Sequence, residues 1–242
     1  MTDFTPECIA RLKRVTTATL TTQLFKRGLR NCFIQGVRPL GSYGENMVGP
    51  AYTLRNIPSR EDLDHVGVFA NPEHPQRKAV ENAPAGKVLV VDCRGDVRAA
   101  SGGEILMTRL RVRGAAGVVS DGGMRDAAAI GRMDLPVFCA GPSAPLNLAA
   151  HHAVDIDVPI ACGGVPVYPG DMIVGDTDGV VVIPAHLAEE IARDAADQEF
   201  LEEFLLTRIQ AGARLPDTYP PNAETRAAFE EWRKGREIAP MR

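Results

Sequence analysis

The chain has 242 residues, 45% hydrophobic and 24% charged, the balance of a globular protein able to bury a large core. A formal net charge of −4 argues against a nucleic-acid or anionic-membrane surface. No apolar run approaches the ~18 residues that a membrane helix needs, and Met1-Thr2-Asp3-Phe4 does not open a secretory signal, so the cytoplasm is the expected location. The five cysteines (Cys8, Cys32, Cys93, Cys139 and Cys162) are scattered, with no C-x-x-C pair, which supports neither a structural zinc site nor a disulfide framework.

Thr5-Pro6-Glu7 reads as a helix start, with a cap, a first-turn proline and a first-turn acid, and Gly28 as the stop. From Gly36 to Leu54 the chain is glycine-rich, with Ala51-Tyr52-Thr53-Leu54 the best strand candidate. Residues 58–86 are polar and broken by Pro58, Pro72, Pro75 and Pro84, which predicts a surface insertion with room for one short helix between the last two prolines. The centre follows. Lys87 to Asp92 reads as a buried strand, Glu104 to Arg113 as a helix ended by Gly114, and Ala116 to Ser120 as the next strand. A short helix from Asp126 to Arg132 and a strand at Leu135–Cys139 complete it. Short strands are then predicted at Val154–Val158, Val165–Tyr168 and Val180–Ile183, punctuated by turns at Pro169-Gly170-Asp171 and Gly175 to Gly179. Residues 185–211 predict one long amphipathic helix. Leu215–Pro221 reads as extended, and a final helix covers Ala223 to Lys234. The expected organisation is a main domain over residues 1–212 and an arm over 213–242 that packs on a neighbouring subunit.

The chemistry concentrates in Gly102-Gly103-Glu104 and Asp121-Gly122-Gly123-Met124-Arg125-Asp126. A helix beginning near Gly103 turns the free amides of Glu104, Ile105 and Leu106 toward the strand ends, an anion site that Gly102 and Gly103 leave open to close approach. Arg125 follows the next strand and so lies at the same edge, where it can clamp a carboxylate. Asp126 beside it can ligate a cation, and an oxygen-only donor set favours Mg²⁺ or Mn²⁺ over zinc. Arg-Asp neighbours also serve as loop-fixing pairs, and Asp121 reads as structural, bonding the Gly122-Gly123 turn. Arg109 and Arg113 share a helix face and read as solvated. His151 and His152 point different ways and read as core or surface residues. Gly86-Lys87 lacks the glycine and hydroxyl of a phosphate loop, and Ser143 lacks the second glycine of a nucleophile elbow. None of the five lysines (Lys13, Lys26, Lys78, Lys87, Lys234) lies in the glycine-acid segments, which argues against a Schiff base.

At Gly103-Glu104-Ile105-Leu106, Val118 to Asp126, and Gly163 to Asp171 continuing through Gly175 to Pro184, the sequence resembles the RraA-like family, which includes class II 4-hydroxy-4-methyl-2-oxoglutarate/4-carboxy-4-hydroxy-2-oxoadipate aldolases. The resemblance implies an α/β fold: a swivelling-type β/β/α sandwich core with N-terminal helices and a C-terminal helical arm. It also implies a homotrimer or homohexamer with active sites between subunits. Carried over residue by residue, it makes Asp126 the direct ligand of Mg²⁺ or Mn²⁺ and gives Glu104 a hold on that ion through water. Arg125 then binds the keto-acid carboxylate, with Gly103 and the amides of Ile105 and Leu106 completing a pyruvate site. It implies further a glutamate from the neighbouring subunit's C-terminal helix, placed here at Glu203, with Glu202 and Glu199 as alternatives. Two features depart from the pattern: Ala129 stands where the aldolases carry an acid, and the insertion near residues 58–82 and the tail are not typical.

The resulting expectation is a metal-dependent carbon–carbon lyase that cleaves a 4-hydroxy-2-oxo acid to pyruvate and a second carbonyl product, with oxaloacetate decarboxylation through the same enolate. The rivals are a non-enzymatic regulator of a ribonuclease acting through protein contact, and a related metal-dependent hydrolase or isomerase of a sugar-acid intermediate.

Overall fold

The computed structural model describes residues 4–234 and 236. In chain order the helices and strands are α1 (Pro6–Leu12), α2 (Thr17–Lys26), β1 (Phe33–Ile34), β2 (Arg38–Pro39), β3 (Met47–Pro58), α3 (Pro75–Asn82), β4 (Val88–Asp92), α4 (Glu104–Val112), β5 (Gly117–Met124), α5 (Ala127–Ile130) and β6 (Val137–Pro142). They continue as β7 (His151–Ile156), β8 (Ile160–Cys162), β9 (Val165–Val167), β10 (Met172–Gly175), β11 (Val180–Ile183), α6 (Ala188–Gln210), α7 (Leu215–Thr218) and α8 (Ala223–Arg233).

One sheet runs in the order β1-β11-β10-β3-β4-β5-β6-β2, with β7 added to the far end of β3, and β8–β9 form a separate hairpin. The pairing is parallel from β3 to β6 and antiparallel at both flanks. The long strand β3 joins the two halves, pairing with β10 through Met47–Pro50, with β4 through Ala51–Arg55 and with β7 from Leu54 onward.

The valine-rich strands show no polar face because both of their faces are buried. Val88 and Val90 of β4, Val119 of β5, Ile173 of β10 and Val180 and Val182 of β11 point inward, where Ile160, Cys162, Val165 and Val167 of the hairpin close the core. The alternate residues point outward onto two groups of helices. Leu89, Val91 and Val118 meet Ala79 and Val80 of α3, Met107 and Leu110 of α4 and Ile130 of α5. Val174, Val181 and Ile183 meet Cys8 and Leu12 of α1, Leu20 and Leu24 of α2 and Ile191, Ala192 and Ala195 of α6. This is the expected β/β/α sandwich, with N-terminal helices and a C-terminal helical segment. Among the described residues no helix is long and apolar enough to cross a membrane.

Several expectations change. The N-terminal segment is two helices, because the Thr16 side chain caps α2 by accepting from the Thr19 amide and Asn46 Nδ2 donates to the carbonyls of Leu12 and Val15 in the break. The 58–86 segment is not only surface: α3 buries Gln76, Ala79 and Val80, and Asp64 pins the segment to β7 through His152 Nδ1 at 2.7 Å. His151, its neighbour, lies buried on the other face of β7, with Nε2 3.2 Å from the Ala99 carbonyl. Arg109 remains solvated while pairing with Glu81 of α3 in an exposed ion pair, and Arg113 donates from Nε to the Ala83 carbonyl just after that helix. The span expected to be extended, Leu215–Pro221, opens with a short turn whose Pro216 and Asp217 are not helical. The strand expected at Val154–Val158 is His151–Ile156, and β1, β2, β8 and β10 were not anticipated, being two to four residues long. Helix α8 lies on α6 of the same chain, with Phe229 and Trp232 against Phe200 and Phe204. The end of the arm, residue 235 and residues 237–242, lies outside the described residues, as does Met1-Thr2-Asp3.

Asp121 is structural, but it does not bond the Gly122-Gly123 turn. It is buried at the end of β5, where its carboxylate accepts the amides of Cys93 at 2.6 Å, Gly95 at 2.9 Å and Gly163 at 3.1 Å, joining β5 to the ends of β4 and β8. Removing it leaves three backbone donors, one buried and two part-buried, without an acceptor. Asp121→Ala is therefore expected to cost roughly 3 kcal/mol or more of stability, read as a lowered urea midpoint, with Asp121→Asn less damaging because it keeps one acceptor oxygen. An unchanged midpoint for the alanine variant would contradict this role.

Candidate active site

The pairing of β5 and β6 shifts register between Ser120 and Gly123, and there β5 turns to run beside residues 99–102. The Ser101 amide donates to the Gly123 carbonyl at 2.8 Å, and the Arg125 amide donates to the Gly102 carbonyl at 3.1 Å. Only glycine permits this approach. A Cβ on Gly122 would stand 2.7 Å from Cys93 Cβ, and one on Gly123 would stand 2.3 Å from Ser143 Cβ. The result places the first turn of α4 beside Arg125 and Asp126.

Gly103 is the residue that precedes α4, in extended conformation and with no side chain to cap the helix. The first intrahelical bond runs from the Met107 amide to the Gly103 carbonyl, so the amides of Glu104, Ile105 and Leu106 lie outside the helical ladder. The Glu104 amide donates to Asp126 Oδ2 at 3.2 Å. Asp126 reaches it because its backbone is left-handed, with φ 57° and ψ 28°, a conformation that aspartate tolerates better than most residues. Arg125 Nε stands 3.6 Å from the same oxygen. Gly103 has no room for a side chain, since a Cβ would lie 2.8 Å from both Arg125 Cγ and Asp126 Oδ2. Glu104, Arg125 and Asp126 are all exposed at the pocket rim.

These groups line a cavity of about 170 Å³ together with Ile105 and Leu106. That volume suits a small organic acid rather than a coenzyme. The structure thus brings together Gly103, Glu104, Ile105, Leu106, Arg125 and Asp126, six of the residues expected from the sequence. Glu203 is not among them. It is exposed on α6, whose inner face packs against α1 and α2 on the other half of the sheet. Of its two alternatives, Glu199 accepts from the amide and hydroxyl of Thr16, capping α2, and Glu202 accepts from Gln198.

Sequence reasoning missed Gln76 and Arg77 of α3 and Leu146 and Asn147, which also line the cavity. No local pattern marks them; Gln76 and Arg77 arrive through the packing of α3 on α4, and Leu146 and Asn147 through the connection between β6 and β7. Ala129 lies half-buried in α5 and supplies no carboxylate.

Two carboxylates, Asp126 and Glu104, face the cavity, and among the described residues no cluster of three acidic, histidine or cysteine side chains is assembled to cage a metal. A hydrated Mg²⁺ or Mn²⁺ fits this set, because such ions keep several waters and need only one or two carboxylates. Thiol chemistry does not fit. All five cysteines are buried, and burial pushes the Cys93 and Cys8 thiols up to about 12, so neither supplies a thiolate at neutral pH.

The RraA-like family model (Aldolase/RraA) matches residues 17–182. A protein of Halalkalibacterium halodurans named "Putative 4-hydroxy-4-methyl-2-oxoglutarate aldolase" is 35% identical over 179 residues, covering 72% of this chain and 79% of its own. A protein of Aromatoleum aromaticum with the same name is 43% identical over 111 residues, covering 46% of this chain and 69% of its own. Among solved structures, Streptomyces coelicolor RraAS2, described as an unusual member of the RNase ES inhibitor RraA protein family, superposes with a TM-score of 0.73 at 34% identity, covering 84% of this chain and 98% of that one. The chain belongs to the RraA-like family.

Proposed function

We propose that the protein is a divalent-metal-dependent aldolase that cleaves a 4-hydroxy-2-oxo acid to pyruvate and a second carbonyl compound, and that it decarboxylates oxaloacetate as a side activity. The observation that carries this reading is the joint placement of Arg125, Asp126 and the free first-turn amides of α4 around one small cavity. The names of the Halalkalibacterium and Aromatoleum relatives support it.

Arg125 grips the substrate's carboxylate with its two-pronged guanidinium, and the amides of Ile105 and Leu106 add hydrogen bonds to the same end. Asp126 holds Mg²⁺ or Mn²⁺, with Glu104 assisting through water. When bound, the cation supplies Lewis-acid polarisation of the 2-oxo group. Glu104 accepts, through water, the proton that leaves the 4-hydroxyl. The C3–C4 bond then breaks, its electrons passing into the polarised 2-oxo group to give the enolate of pyruvate, which a proton at C3 converts to product. Glu203 joins the site from a neighbouring subunit of a trimer or hexamer. The exposed Leu206, Ile209, Leu215 and Tyr219 along α6 and the arm support this half of the helix as a contact surface.

Pyruvate release from oxaloacetate and from 4-hydroxy-4-methyl-2-oxoglutarate is expected with Mg²⁺ and is expected to stop in EDTA; equal rates in both would remove the metal from the reaction. Absence of turnover on every 2-oxo acid tried, with recovery of a ribonuclease in a pull-down, would favour the regulator reading. Arg125→Lys is expected to lower kcat/KM about 100-fold, because lysine presents a point charge instead of a fork. Gly103→Ala is expected to abolish 2-oxo acid binding in calorimetry while circular dichroism stays unchanged, since its Cβ displaces Arg125 and Asp126 without touching the core. Normal binding by that variant would show that the tight packing at Gly103 does not matter.

A further inference from the structure

The family-like half of the cavity accounts for one carboxylate of a ligand, yet a second arginine lines the cavity. Arg77, in the first turn of α3, lines it alongside Gln76, Leu146 and Asn147. The two arginines come from different walls, Arg125 from the end of β5 and Arg77 from the segment inserted between β3 and β4. Arg77 is half-buried, and among the described residues it makes no ion pair, whereas Arg109 on the facing helix is matched by Glu81. A cation taken partly out of water without a partner is unfavourable unless a ligand supplies the counter-charge.

The position of Arg77 is also held rather than loose. Gln76, buried beside it, donates from Nε2 to the Ser101 carbonyl at 2.8 Å, and Ser101 is the residue bonded to Gly123 just before the Gly102-Gly103 pair. That bond fixes the first turn of α3 to the same backbone that positions Arg125. The guanidinium itself lies 4.3 Å from the centre of the Phe69 ring, which orients its plane and replaces part of its lost hydration. Burial holds its pKa below the ordinary arginine value.

We propose that Arg77 is a specificity-determining residue that binds an anionic group on the part of the substrate away from the Arg125-bound carboxylate, so that the pocket selects 2-oxo acids bearing a second carboxylate over those ending in an alkyl group. This rests on the reading that the cavity binds a 2-oxo acid, but not on the cleavage step. Leu146, which lines the same cavity, offers apolar contact for the carbon chain between the two charged ends. Phe69, Gln76 and Arg77 all belong to the insertion, which thereby adds substrate choice to a site whose reaction chemistry lies elsewhere in the fold.

The test compares two uncleavable ligands of equal length, 2-oxoglutarate and 2-oxopentanoate, by calorimetry with Mg²⁺ present. The wild-type chain is expected to prefer the dicarboxylate. Arg77→Met, which keeps the apolar stem over Phe69, is expected to weaken 2-oxoglutarate about 10- to 100-fold and leave 2-oxopentanoate unchanged. Arg77→Lys should recover part of the difference. Unchanged binding of the monocarboxylate by Arg77→Met certifies that the site is still folded. The proposal is overturned if the wild-type chain shows no preference or binds neither ligand, or if Arg77→Met keeps the preference or loses both ligands equally. An Arg77-dependent preference without pyruvate release from any 4-hydroxy-2-oxo acid would keep this assignment and remove the aldolase reading. Pyruvate release with a preference indifferent to Arg77 would do the reverse.

Discussion

Backbone meets backbone where β5 leaves the sheet, and the candidate site depends on that approach. Gly122 and Gly123 carry no side chains to hold Cys93 and Ser143 away, so the strand end can lie against residues 99–102 and exchange backbone hydrogen bonds with them. Asp121, itself buried, secures the same junction from below by accepting three backbone amides. Because α4 begins immediately after this segment, the geometry of two glycines and one carboxylate decides where the helix N-terminus points. Arg125 and Asp126 inherit their positions from the other side of the same contact. A side chain at either of these glycines would push the end of β5 away from residues 99–102, and the anion-binding amides would no longer face the guanidinium.

The electrostatics of the site follow from that placement. Asp126 turns back through a left-handed backbone and sets its carboxylate on the Glu104 amide, where the helix dipole favours negative charge. Arg125 stands beside it, close enough to balance the acid but exposed enough to remain available. The same helix end therefore offers amides for an anionic ligand and, one residue away, an acid for a cation. Two opposite charges held side by side at a helix N-terminus suit a ligand that is itself an anion with a polarisable carbonyl. The second wall of the cavity has a different origin. It comes from the segment between β3 and β4, docked by Gln76 and by the His152–Asp64 contact, and it meets the site only because α3 packs on α4.

Other polar groups are removed from chemistry by the fold. The cysteines are buried with their thiols protonated, and His151 is buried against the Ala99 carbonyl, where loss of hydration lowers its pKa and keeps it neutral. Glu199, one of three glutamates considered for the site, is occupied in capping α2. Glu203 remains exposed on α6, on a surface that also carries apolar side chains.

Local sequence determined the strands of the valine runs, the helix after Gly103, the helix between Pro75 and Pro84 and the long α6, because each follows from periodicity, capping and breakers within a few residues. It also marked Gly103, Glu104, Arg125 and Asp126, since a strand-helix-strand unit returns both segments to one edge whatever surrounds it. Tertiary structure alone decided the rest. The two-residue strands exist only through their partners, the break between α1 and α2 depends on Asn46, and the true partners of Asp121 lie just after β4 and before β9, far along the chain. Gln76 and Arg77 carry no pattern of their own, and their place at the cavity is set by apolar packing between two helices that the sequence separates, which no local propensity encodes.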